Sequence, residues 1–497
     1  MKQHKRPRQD RQSAGKFRSD GSINGPTETG SGQPDEARTE VVTAELPQAF
    51  VAQMRAQLGD DYAAFEAALR QETPVSIRVN PRKSGFDTSG LQPVPWCADG
   101  FYLPERPSFT LDPQFQAGAY YVQEASSMLL NEALKQSANL TRPLRVLDLC
   151  AAPGGKSTLL ASALHPDSLL ICNEVIRSRV SVLRENIDKW GFPNVVVSNH
   201  DPEDMLSLSG FFDVVVVDAP CSGEGLFRKD PDAMNEWSED SVQLCSARQK
   251  RILAAAAPLL DMGGTLIYST CTYNDDENLD NIRYLTENGF RNHPLVLPPD
   301  WNIVEKDIDG SVGYQCYPHR VRGEGFFISV FKKTAFTAPP KLDARTFRSI
   351  RALRTREAAS AATWLQNPAD FSLWEKPNGD VMALPKALEK QFLGLDVALK
   401  NKGFGLEIGQ FKGTDFIPSH ALALSTAINQ HLPAVSLSKE NALRYFKKEN
   451  LILDEPATGW LLARYNGLNI GWMKGVGNRV NNYLPKDWRI RMDISEK

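Results

Sequence analysis

The chain has no Cys-x-x-Cys pair, and its seven cysteines, at 97, 150, 172, 221, 245, 271 and 316, are scattered through 497 residues. That spacing excludes a small disulfide-stapled scaffold and points to reduced thiols in the cytoplasm. No apolar run is long enough to cross a bilayer. The first residues are polar and basic, without the apolar stretch of a signal peptide. Neither sign of charge dominates: 57 Lys and Arg against 60 Asp and Glu leave a formal net charge of −3. The total therefore says little about partners, and local clusters must be read singly. With 41% hydrophobic and 24% charged residues, a chain of this length has room for several domains with ordinary cores.

Residues 1–44 have few large apolar side chains and read as a disordered basic tail led by Lys2, Lys5, Arg6, Arg8, Arg11, Lys16 and Arg18. A solubilising tail and a nucleic-acid arm fit equally. Residues 45–141 read as an N-terminal module, RNA-binding or specific to a family. It opens with an amphipathic helical pattern from Pro47 to Thr73 and a short strand ending in Arg78-Val79-Asn80-Pro81, and it carries helical spacing again from Tyr120 to Leu134. Arg78 and Asn80 could hold an RNA strand or be plain residues before a turn. Residues 142–335 alternate amphipathic helices with apolar strands at Arg145–Leu149, Leu169–Asn173, Val195–Ser198, Val214–Asp218, Gly264–Ser269 and Phe326–Phe331. The fold class is α/β, with a mostly parallel, doubly wound sheet.

Ala338-Pro339-Pro340 breaks that pattern, and residues 336–402 read as a linker. In it Arg345, Arg348, Arg351 and Arg354 recur at every third position, which predicts a basic helix face. Residues 403–497 turn to short strands. Arg464, Lys474, Arg479, Lys486, Arg489 and Arg491 interleave with Trp472, Tyr483 and Trp488. That mixture suits RNA backbones and splayed bases; an ordinary half-buried β module is the alternative.

The first core strand, Arg145–Leu149, runs into Cys150-Ala151-Ala152-Pro153-Gly154-Gly155-Lys156-Ser157, a glycine turn before a helix. Glycines let backbone approach a ligand, and a helix N-terminus offers unpaired N–H groups. A P-loop would need glycine at position 150, where Cys150 stands. Asp148 would also repel a triphosphate. S-adenosylmethionine, cationic and free of phosphate, suits an acid at the end of each successive strand. Glu174 follows the second strand, placed for ribose hydroxyls, and Asp201 follows the third, placed for an adenine amino group. No metal is implied.

Pro220-Cys221 and Cys271 end the fourth and fifth strands. In parallel α/β sheets, chemistry sits at the carboxyl ends of strands. Methylating carbon 5 of a pyrimidine needs a thiolate to add at carbon 6 and a base to remove the carbon-5 proton. Two cysteines packing as small hydrophobes, or a redox pair, are the alternatives.

The segments Asp148-Leu149-Cys150-Ala151-Ala152-Pro153-Gly154-Gly155-Lys156, Asp218-Ala219-Pro220-Cys221-Ser222-Gly223 and Tyr268-Ser269-Thr270-Cys271-Thr272 together resemble the NOP/NSUN/Sun family of RNA 5-methylcytosine methyltransferases. Gln123 to Met128, Gly325-Phe326-Phe327, Gly471 to Lys474 and Pro485 to Arg491 extend the resemblance, toward the RsmF-type subgroup acting on ribosomal RNA. Ser157 stands where many members have threonine. The resemblance implies a Rossmann-like methyltransferase core and a C-terminal PUA-like RNA-binding domain over 403–497. It implies Cys271 as nucleophile, Cys221 assisting release of the methylated RNA, and Asp218, beside Lys156, touching both cofactor and cytosine. Cys150, Ala151, Ala152, Pro153, Gly154, Gly155, Lys156, Glu174, Asp201 and Asp218 would line the S-adenosyl-L-methionine pocket. The expected partner is small-subunit ribosomal RNA or the small subunit itself, met by a monomer away from membranes. A tRNA cytosine-5 methyltransferase and an RNA-binding assembly factor are the rival functions.

Overall fold

The computed structural model describes residues 45–83, 85–340, 350–399 and 404–494. The expected tail 1–44, and Arg345 and Arg348 of the expected basic helix, lie outside the described residues. Among the described residues no helix is long and apolar enough to cross a membrane.

The central sheet runs, in spatial order, Val304–Ile308, Ser311–Cys316, Phe326–Lys333, Leu260–Thr270, Phe212–Asp218, Arg145–Asp148, Leu169–Asn173 and Val195–Ser198. Phe290–Asn292 pairs off the strand Phe326–Lys333. Five neighbouring strands, from Leu260–Thr270 to Val195–Ser198, are parallel; Phe326–Lys333 is antiparallel to the first of them. The unbroken valine run 214–217 follows from burial on both faces. Val214 and Val216 join one apolar cluster with Val146 and Cys172, and Val215 and Val217 join another with Leu147 and Ile171. Strand order reverses between Arg145–Asp148 and Phe212–Asp218, the place where ligands enter such sheets.

The N-terminal module adds helices Gln48–Leu58 and Tyr62–Leu69 and an antiparallel sheet in the order Gln92–Val94, Cys97–Tyr102, Ser76–Val79, Tyr120–Val122. The helical spacing over Tyr120 to Leu134 is only partly helical. Tyr120–Val122, aromatic and β-branched, pairs with Ile77–Val79, and helix begins after Ala125. Arg78 and Asn80 are not RNA-facing: they are 1% exposed and tie this sheet to the core. Arg78 donates to Gln123 Oε1 at 2.8 Å and Thr158 Oγ1 at 2.5 Å and lies over the Trp190 ring. Asn80 donates to the carbonyls of Gly118 and Trp190.

The described residues of 336–402 are built into a sheet and do not form a linker with a basic helix. Arg351–Ala352, Phe371–Glu375, Asp380–Pro385, Leu406–Lys412 and Asp415–Pro418 form one antiparallel five-stranded sheet, which also runs across the expected boundary at 403. Arg351 sits in a strand and pairs with Glu375, while Arg354 precedes the helix Thr355–Ala362. For Arg351 and Arg354 the three-residue spacing was therefore no helix signal. The helix Glu389–Leu399 packs Phe392, Leu393, Leu395 and Leu399 against the core sheet. Beyond it, Ala434–Ser436 joins a long hairpin, Ile452–Tyr465 with Leu468–Asn482. Asn466 and Gly467 turn that hairpin at φ 47° and 78°, the paired positive values a two-residue turn requires. Tyr445, Phe446, Ile470 and Met473 of this unit bury against Ile77, Phe109 and Tyr120 of the N-terminal module.

Candidate active site

The glycine loop leaves the strand Arg145–Asp148 beside the strand-order reversal. Gly154, at φ 116°, turns the chain into the helix Gly155–Ala163, a conformation that favours glycine. Neighbours pin the loop: Ala151 N–H donates to the Asn173 carbonyl, Arg179 to the Ala152 carbonyl and Asn186 to the Pro153 carbonyl. Asn173 Nδ2 bridges the carbonyls of Leu149 and His200, joining the ends of three strands. Asp148 is fully buried. Its Oδ2 accepts from Ser157 Oγ at 2.6 Å, and its Oδ1 has no hydrogen-bond partner. Burial, against the pull of that Ser157 hydrogen bond, pushes the Asp148 carboxyl up to about 7. Burial also raises the thiol of Cys150.

Glu174 closes the next strand, almost wholly buried, accepting from Ile176 N–H and pairing with Arg179 at 3.3 Å. Asp201 caps the turn Pro202–Leu208 through Glu203 N–H and meets Arg251 at 3.4 Å. The three acids thus stand at three adjacent strand ends, with Asp201 furthest into solvent.

Asp218 ends the strand Phe212–Asp218 and opposes Ser269 in the ladder. Its Oδ2 accepts from Lys156 Nζ and its Oδ1 from Ser269 Oγ, both at 2.8 Å. Burial works against the Lys156 ammonium, but Asp218, with Cys271 and Asp148 beyond it, outweighs burial and raises its pKa. The sulfurs of Cys221 and Cys271 lie 2.9 Å apart, both half-buried. The Cys271 N–H points at Cys221 Sγ at 3.3 Å. The hydrogen bond with Cys271 and burial hold Cys221 well above the usual thiol range, so Cys221 keeps its proton. Lys156, Asp218, Cys221 and Cys271 are thus one cluster.

Two carboxylates that sequence reasoning missed fasten the thiol loops. Glu224, fully buried, accepts from the N–H groups of Tyr273 and Asn274 at 2.9 and 3.0 Å. It also accepts from Trp237 Nε1 and, at 3.3 Å, from Gln53 of the first helix. Glu277 accepts from Ser222 N–H, Asn274 Nδ2 and Gln249 Nε2. Asn274 donates to both acids. The only sequence signal was position: Glu224 lies three residues past Cys221, and Glu277 six past Cys271. Gly225 completes the contact, its N–H donating to the Cys271 carbonyl at 2.8 Å.

Three family models match successive parts of the chain. The N-terminal domain of 16S rRNA methyltransferase RsmF covers 46–125, 16S rRNA methyltransferase RsmB/F covers 136–332, and the methyltransferase RsmF PUA domain covers 432–490. Ribosomal RNA small subunit methyltransferase F of Aliivibrio fischeri (strain MJ11) is 32% identical over 468 residues, spanning 89% of this chain and 97% of that protein. The protein of the same name from Vibrio cholerae (strain M66-2) is 32% identical over 481 residues, with the same shares. The crystal structure of a methyltransferase homologue from Pyrococcus horikoshii superposes with a TM-score of 0.50 at 26% identity, covering 59% of this chain and 96% of that one. Rossmann-like core and PUA segment are shared, and the relatives match nearly end to end. The chain belongs to the RsmF family of methyltransferases.

Proposed function

We propose that this chain transfers a methyl group from S-adenosylmethionine to carbon 5 of a cytosine in 16S ribosomal RNA, through a covalent Cys271 adduct at carbon 6. The observation that carries this reading is the pair of sulfurs 2.9 Å apart at neighbouring strand ends, beside the Lys156–Asp218 ion pair. The named activity of the Aliivibrio and Vibrio relatives supports the substrate.

The residues present fit a cationic cofactor without phosphates. Asp148 Oδ1 is buried without a partner, and Glu174 and Asp201 close the two strands beyond it. Cys150, Ala151, Ala152, Pro153, Gly154, Gly155 and Lys156 would hold the cofactor with Glu174, Asp201 and Asp218. When bound, S-adenosylmethionine supplies an electrophilic methyl group. The Cys271 thiolate adds to carbon 6 of the cytosine and so makes carbon 5 nucleophilic. After methylation the bond between carbon 6 and the Cys271 sulfur breaks. The Cys221 S–H gives its proton to the departing sulfur, and the Cys221 thiolate so formed takes the carbon-5 proton as the ring double bond returns. Cys221, held protonated against Cys271, assists that release. Lys156 fixes Asp218, which orients the base. The target must leave its stack to reach the thiol, so loop or splayed RNA is the substrate form. The PUA-like unit supplies further backbone contacts.

The test offers labelled S-adenosylmethionine with naked 16S RNA, assembled small subunits and tRNA in parallel. Label on carbon 5 of one ribosomal cytosine is expected. Cys271→Ala should lose transfer but retain adenosylhomocysteine binding, and Cys221→Ala should accumulate an RNA–protein adduct on a denaturing gel. Label confined to tRNA would overturn the substrate; an adduct trapped by Cys271→Ala would reverse the thiol roles.

A further inference from the structure

Glu277 lies under both thiol loops, fully buried, with no ion pair among the described residues. Its Oε1 accepts from Asn274 Nδ2 at 2.8 Å. Its Oε2 accepts from Gln249 Nε2 at 2.6 Å and Ser222 N–H at 3.1 Å. Every partner is an N–H donor and both oxygens are occupied. A proton on either oxygen would face an N–H, so this geometry selects the ionised form. Burial raises the Glu277 carboxyl above the usual range, and the hydrogen bonds from Asn274, Ser222 and Gln249 pull against that rise. A glutamine here would set an NH2 group against an N–H donor, so the site is shaped for a carboxylate.

The two thiols meet opposite charges. Ser222 directly follows Cys221, so Glu277 lies against the backbone of the Cys221 loop. Lys156 reaches the cluster from the glycine-loop helix and is coupled to Cys271. The other groups facing the pair are Asp218, whose ion pair with Lys156 partly offsets both charges, Tyr268 below, and Cys245 with Arg248 on the helix Glu239–Leu259. A carboxylate disfavours a thiolate beside it, and an ammonium favours one.

We propose that Glu277 is a positioning residue that sorts the two thiols: it holds Cys221 as a neutral S–H donor toward Cys271 and leaves the negative charge on Cys271. Its place in catalysis rests on the methylation reading above. The charge sorting itself is readable without RNA or cofactor. The burial and the Cys271 hydrogen bond that raise Cys221 act in the same direction.

The experiment follows initial rates of iodoacetamide alkylation at Cys221 and Cys271 by peptide mass spectrometry from pH 6.5 to 9.5, in the full chain. In the wild type, Cys271 should react ahead of Cys221 throughout. Glu277→Gln should speed Cys221 about tenfold, the equivalent of one pKa unit, and leave Cys271 nearly unchanged. Glu277→Asp keeps the charge and should resemble the wild type. Equal acceleration of both thiols in Glu277→Gln, or the same effect from Glu277→Asp, would overturn the proposal. Should Glu277→Gln fail to fold, the wild-type profile decides: Cys221 titrating with or below Cys271 refutes it. Failure of the methyl-transfer assay would leave the alkylation result standing, so the two readings fail separately.

Discussion

Asp148→Asn should make the ligand-free protein more stable at pH 8 while weakening its hold on cofactor. The Asp148 carboxyl sits at about 7 in the folded chain, against about 3.9 when unfolded. Its folded pKa is raised, so its contribution is fully present below about 3.9 and is lost as pH climbs to about 7. At 1.36 kcal/mol per unit, ionisation costs the fold about 4 kcal/mol by pH 8. Asparagine removes that cost and keeps an acceptor for Ser157. Its amide takes the position of the unpartnered Oδ1 and costs about 1–3 kcal/mol at any pH. The stability difference between variant and wild type should therefore rise by about 2–3 kcal/mol between pH 5 and pH 8, whatever the amide cost. Urea midpoints at the two pH values read this directly. Adenosylhomocysteine should raise the melting temperature of the wild type at pH 8 and that of the variant much less. A pH-independent difference, with the ligand shift intact, would refute both the shifted carboxyl and its contact with the cofactor.

Arg78→Met should lower stability by about 3 kcal/mol, because Gln123 and Thr158 lose a buried donor. Denaturant midpoints check it, and the salt dependence of RNA binding should be unchanged. Gly225→Ala places a Cβ 2.6 Å from the Gly325 carbonyl and 2.8 Å from that of Cys271. It should lower kcat strongly at unchanged KM for adenosylmethionine, since the Cys271 loop must shift. Lys474, which lies over the Trp460 ring, and exposed Arg479 are candidate phosphate contacts. Replacing both with alanine should reduce the slope of log affinity against log salt by about 2, and an unchanged slope would remove the hairpin from the RNA path.

The core was legible because burial on both faces writes itself as apolar runs. Leu169–Asn173 and Val195–Ser198 match the structure at both ends, and the valine run 214–217 needed only Phe212 and Asp213 added. The glycine loop and both thiols were equally visible, since each requires a particular residue type at a strand end. The region 336–402 was misread for a different reason. Beyond the proline break the arginine spacing was the only feature read there, and the hairpin signal Asn378-Gly379, between the segments 371–375 and 380–385 and with Gly379 at φ 89°, was passed over. Arg78 was misjudged because a charge on a short strand is usually exposed. What buries it is a partner set, Gln123, Gly155 and Thr158, drawn from two other segments.

Glu224 and Glu277 were illegible for the same reason, and they show what the N-terminal module contributes. A lone glutamate near a cysteine reads as surface charge until the N–H donors that surround it are known. Glu224 gathers such donors from the Cys271 loop, from Trp237, and from Gln53 on the first helix. Around it, Phe50 and Phe65 from the first two helices pack edge-on to Phe227 and Tyr273, which flank the two thiol loops. Removing those helices would expose these rings, each worth about 1.5–3 kcal/mol of burial, and would leave Glu224 short of a donor. The module expected from sequence to bind RNA therefore forms a wall of the candidate active site. Hence the thiol geometry belongs to the whole folded chain and is not a property of the methyltransferase core alone.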